Sequence, residues 1–169
     1  MSLRRQFEHA EKILSTLGGE ENEELLKICR EIRSAEIELH KKSSNLMRRC
    51  IERCTGICCR NLQLDLIISH WDFLYILIVR PDLKREMVEC LEKEKPFFSA
   101  DCIFLKDGVG PCIFPSDARP EVCLVTFCDD TGPVKKEIGK VKRKFFKLSW
   151  YADLQRIKKI FCRFFERAR

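Results

Sequence analysis

The sequence predicts a mainly α fold in which helices flank an irregular, cysteine-rich lobe with one or two short strands. Three observations predict it. Apolar residues recur at three- and four-residue steps toward both ends, glycines and prolines crowd between Pro96 and Gly132, and eight of the eleven cysteines form two clusters in between. With 169 residues, 45% of them hydrophobic, the chain is expected to be a single domain with its own core. Its parts are residues 1–49, N-terminal helices; 50–132, the cysteine-cluster core; and 133–169, basic C-terminal helices.

Gly18 and Gly19 separate a short first helix from a long amphipathic one over Glu20–Arg49, where Leu25, Ile28, Ile32, Ala35, Leu39, Ser43 and Leu46 share a face. From Leu62 to Ile68, alternating leucines and isoleucines have the period of a short strand. Ser69, with Asp72 three residues on, caps a helix that Pro81 ends near Arg80, and another follows to about Lys95. Pro96–Gly132 has no helical period. Beyond Pro133 the helical spacing returns in Val134, Ile138, Val141, Phe145 and Leu148, then in Leu154, Ile157, Phe161 and Phe164, with a break expected near Ser149.

The apolar-leaning run Leu64–Val79 is interrupted by Asp65, Ser69, His70 and Asp72, and the first residues, MSLRRQFEHAEKIL, lack a signal-peptide h-region. A cytoplasmic location and no membrane partner are therefore expected, and in a reducing compartment the cysteines remain thiols.

The clusters are Cys50, Cys54, Cys58 and Cys59, then Cys102, Cys112, Cys123 and Cys128. Irregular backbone lacks ladder partners, and metal–thiolate bonds hold such loops together, so these eight are read as ligands in two sites or one multinuclear cluster. Cys29, Cys90 and Cys162 sit in helical patterns and are read as small packing residues. His9 and His40 are read as surface residues, and His70, in the capping turn, as at most an auxiliary ligand.

The segments CTGICCR, DCIFL, PCIF, ARPEVC and VTFC resemble the YkgJ-like cysteine-cluster family, described as a zinc- or iron-chelating domain. The resemblance spans Cys50–Cys128 and implies a metal role for Cys54, Cys58, Cys59, Cys102, Cys112, Cys123 and Cys128, with Cys50 as the upstream member. The chain departs from the family pattern in the three-residue gaps among Cys50, Cys54 and Cys58, and in Phe114–Pro115 where tyrosine is frequent.

Zinc and iron–sulfur both suit thiolates, so the cofactor stays open between them. Two zinc ions, or two oxidised four-iron clusters, on eight thiolates leave a charge of about minus four. Arg48, Arg49, Arg53, Arg60, Lys106 and Arg119 stand nearby in sequence to offset it.

From Val134 onward thirteen basic residues face three acidic ones, a charge of plus ten within a chain of plus six. Two readings follow. The first is a metal-binding protein of the cysteine-cluster type, with a protein redox partner if the metal is iron–sulfur. The second is a nucleic-acid- or protein-binding module in which the metal is only structural and the basic helices make the contacts, nucleic acid being the less favoured partner. No phosphate-cradling loop, GxSxG or HExxH occurs, so small-molecule catalysis is not expected.

Overall fold

A computed structural model describes residues 2–46, 59, 63–94, 102–106, 111–127 and 130–167. They are mainly helical. Helix α1 (Leu3–Thr16) begins where Ser2 Oγ accepts the Arg5 N–H, and it buries Leu3, Phe7 and Ala10. Gly18 then opens α2 (Gly19–Lys42), its N–H donating to Glu21 Oε2 at 3.0 Å. The predicted face is the buried one, from Leu25 to Leu39. Helix α2 stops at Lys42 rather than running on to Arg49, because two serines, weak helix formers, follow; Ser43 turns the chain and Ser44–Leu46 are helical again. The rest of that predicted helix lies outside the described residues.

The strand expected over Leu62–Ile68 is instead a single helical turn, α3 (Leu64–Ile67), closed by the Ile68 N–H on Leu64 O. Leu64 and Ile68 are both buried while Leu66 is 71% exposed, the burial pattern of residues four apart on a helix. A four-residue gap satisfies both periods, so alternation alone misled. Among the described residues β pairing amounts to one isolated antiparallel bridge, Leu105–Cys112.

Helix α4 (His70–Val79) is apolar all round and buries Asp72–Leu77, so it is the core helix. Phe73 packs edge-on against Phe7 of α1 and Phe104, whose ring lies 4.8 Å from Phe114; Tyr75 meets Phe145. A 3₁₀ turn at Pro81–Leu83 leads into α5 (Lys84–Leu91). Within the segment predicted to be irregular, Glu121–Val125 form a short helix, α6.

After a second 3₁₀ turn at Gly132–Val134 comes α7 (Lys135–Arg167). It passes Ser149 without the predicted break, because the Ser149 hydroxyl donates back to Phe146 O at 3.0 Å and leaves the backbone ladder intact. Helix α7 packs along α2, and α1 along α4. Lys144 and Lys147 bond Glu31, Lys140 bonds Glu38, and Lys42 bonds Glu137, so the two helices run antiparallel. Among the described residues no helix is long and apolar enough to cross a membrane.

Asp72 ties these parts together. Its Oδ2 accepts the Ser69 N–H at 2.8 Å and the Ser69 hydroxyl at 2.7 Å, capping α4, while Oδ1 accepts the Glu121 N–H at 2.7 Å, holding the start of α6. Replacement by alanine strands these part-buried donors, and Asp72→Ala is expected to lower unfolding free energy by about 3 kcal/mol, with Asp72→Asn costing less. Urea denaturation of the two variants checks it.

Candidate metal centre

Four of the predicted ligands, Cys59, Cys102, Cys112 and Cys123, are described; Cys50, Cys54, Cys58 and Cys128 lie outside the described residues. Backbone bonds bring the four together from three segments. The Cys102 N–H donates to Cys59 O at 2.7 Å. Lys106 N to Pro111 O and Ile113 N to Phe104 O fold Cys102–Ile113 back on itself, and the Leu105–Cys112 bridge lies between them. Pro120 starts α6, placing Cys123 one turn in, and Asp72 fixes that turn to α4.

Cys123 feels the other three thiols. Burial pushes the Cys123 thiol well above its ordinary range, and the fields of Cys112, Cys102, Cys59 and Asp72 push it further. Cys123 is nonetheless exposed as a residue. Its surface exposure decides access, which is open, while the atoms crowded around the sulfur decide its charge. Burial likewise raises Cys112, opposed by the Phe114 N–H and the Arg119 guanidinium. Cys102 is itself buried. Cys112 also reaches a residue read from sequence as mere packing: burial, the largest cause, raises Cys90, and Cys112 adds to it. Only folding brings α5 to this side, so no spacing in the chain announces Cys90.

Three thiolates in bonding range would mark a formed site. Among the described residues, no three His, Cys, Asp or Glu side chains are arranged to hold a metal ion. The donor chemistry itself, soft sulfur gathered from irregular segments, fits zinc and iron–sulfur alike.

Of the predicted counter-charges, Arg119 stands by Cys112, whereas Arg48, Arg49, Arg53 and Arg60 lie outside the described residues. Arg119 Nε is buried with no hydrogen-bond partner among the described residues. The loop that carries it is anchored from below: Arg33 of α2 pairs with Asp117, and the Tyr75 hydroxyl, which donates to Glu36 Oε2 at 2.8 Å, also lies 3.4 Å from Asp117 O. His70 turns the other way. Its ring stacks on His9 at 4.3 Å and touches Trp71, and its N–H donates to Gln6 Oε1 of α1, so His9 is half-buried rather than a surface residue.

Glu36 is fully buried, a carboxyl that sequence reading passed over because it lies within an otherwise charged helix. Burial, the largest cause, lifts it from its ordinary 4.5 to about 9; the charge of Asp117 adds, while the Tyr75 bond and Arg119 oppose. Below pH 4.5 the carboxyl is protonated in both states and its contribution to stability is complete. Between 4.5 and about 9 the unfolded chain sheds the proton while the folded one keeps it, so stability drains as pH rises through that window. Glu36→Gln is expected to flatten this decline, as denaturant midpoints at pH 5, 7 and 9 would record. The chain matches no family model, no curated protein and no solved structure.

Proposed function

We propose that this chain is a metal-binding protein of the cysteine-cluster type, in which clustered cysteines hold zinc or an iron–sulfur cluster as thiolates. The observation that carries the reading is that the Cys102 N–H bonds the Cys59 carbonyl, the Leu105–Cys112 bridge turns Cys112 back toward Cys102, and Cys123 feels the charge of all three. Buried thiols that serve only as packing have no reason to gather where irregular backbone needs cross-linking.

When bound, zinc would lock these loops together, and an iron–sulfur cluster would add one-electron chemistry and a protein redox partner. The chain's own residues do the rest. Cys112 and Cys123 hold their protons more tightly than ordinary thiols, so uptake of metal displaces protons and weakens as pH falls. Arg119, held over Cys112, offsets negative charge as the thiolate forms. Asp72 positions Cys123 through the start of α6.

The second reading, a binding module using the basic end, draws support for a protein partner rather than nucleic acid. Lys140, Lys144 and Lys147 are engaged by Glu38 and Glu31 of α2, which leaves fewer cations for phosphates.

Anaerobic purification with metal analysis and a visible absorption spectrum tests the first reading, since an iron–sulfur cluster absorbs in the visible and zinc does not. Cys123→Ser is expected to lower both metal per chain and melting temperature. Cys29→Ala, on the buried face of α2, is expected to keep the metal at a cost of about 1 kcal/mol. Unchanged metal content in Cys123→Ser would sink the reading.

A further inference from the structure

The side of α7 turned away from the core carries Phe146, Trp150, Leu154 and Ile157, which are 68%, 59%, 38% and 48% exposed. Spacings of four, four and three residues put them in one stripe along the helix. The first two are already arranged, with rings stacked 6.4 Å apart. Single exposed apolar residues are ordinary, but four in a continuous line are not.

The packing of α7 on α2 indicates what such a face binds. On that side, an apolar row runs through Val141, Phe145 and Leu148, and Lys140, Lys144 and Lys147 at its edge engage Glu31 and Glu38 of α2. The open side repeats the recipe. Lys142 and Arg143, both exposed, border its apolar row, Lys142 also within the field of Glu121 of α6, and exposed Asp153 is the one carboxylate beside it. Burying aromatic surface beside cations favours a partner that brings apolar residues and carboxylates together.

The helix also outruns its neighbour. The Tyr151 hydroxyl donates to Glu21 O near the start of α2 and Ala152 is still buried, so α7 from Asp153 to Arg167 continues past this contact, about 22 Å at the helical rise. Leu154 and Ile157 belong to this overhang.

We propose that the open face of α7 is a docking surface for an acidic amphipathic helix of a partner protein, seated on Phe146, Trp150, Leu154 and Ile157 and steered by Lys142 and Arg143. Exposed Lys142, Arg143 and Lys158 outnumber the one exposed carboxylate of this stretch, Asp153, so the face is net positive and a second copy of it is a poorer partner than an acidic helix. The proposal concerns α7 alone and stands whether or not the thiols take metal.

The test uses the full chain and two labelled synthetic helices of about 25 residues, with leucines three and four apart, one flanked by glutamates and its twin by lysines. In fluorescence anisotropy the glutamate peptide is expected to bind at least about tenfold more tightly than the lysine peptide, increasingly so at low salt. Trp150→Ala and Arg143→Glu should each weaken it about tenfold without changing the melting temperature, since both side chains are exposed. Equal binding of the two peptides, no binding, or indifference to both substitutions would overturn the proposal. So would Trp150-dependent attachment to phosphatidylserine vesicles that the glutamate peptide cannot displace, which would make the occupant a lipid surface. Trp150-dependent dimerisation in sedimentation, making it a second copy, would overturn it too.

Discussion

One buried carboxylate organises the structure. Asp72 sits 4% exposed at the start of the core helix, and its two oxygens point to different parts of the chain. One closes the helix to which it belongs. The other accepts the first N–H of α6, 49 residues on, and so decides where Cys123 stands. A carboxylate so buried costs free energy unless its lone pairs are filled, and burial does push its pKa upward against the Ser69 and Glu121 bonds. The arrangement is therefore all or nothing: the helix cap, the α6 anchor and the position of one thiol share a single set of hydrogen bonds.

Around that point the molecule is bound by two kinds of contact. Aromatic rings, Phe7 on Phe73 on Phe104 on Phe114, carry the core from α1 into the segment that bears Cys102 and Cys112. Lysine–glutamate pairs join α2 to α7 along the outside. The rings contribute most of the free energy because they are dry, whereas partly exposed ion pairs contribute little each and instead fix register. A metal bound by the thiols would stiffen segments already held at their roots by the rings.

What the sequence made legible was local chemistry. The paired glycines before α2, Ser69 with Asp72, and Pro81 each act within a few residues, and each boundary stands where it was expected. The failures came from ambiguity or distance. Leu64 and Ile68 fit a strand and a helix equally well, and Ser149 looked like a break because its hydroxyl's bond to the preceding turn cannot be read from composition. Helix α6 depends on Asp72, the burial of Glu36 on Tyr75 from another helix, and the nearness of Cys90 to Cys112 on how α5 packs. Clustering singled out the cysteines, but only the fold says which of them meet.

The α2–α7 pairing bears on how the chain becomes structured as it is made. Lys42 and Glu137 are 95 positions apart, and Glu31 and Lys144 are 113 apart. A ribosome has therefore released α2 long before its partner exists, and the interval lasts seconds at ordinary elongation rates of about 5–20 residues per second. During that time the apolar side of α2 has α4 but not α7 to pack on, and closing so long a loop makes its last contact slow. Glu31 and Glu38, which pair with lysines of α7 in the finished structure, leave the waiting helix with charge beside its apolar side until those lysines are made.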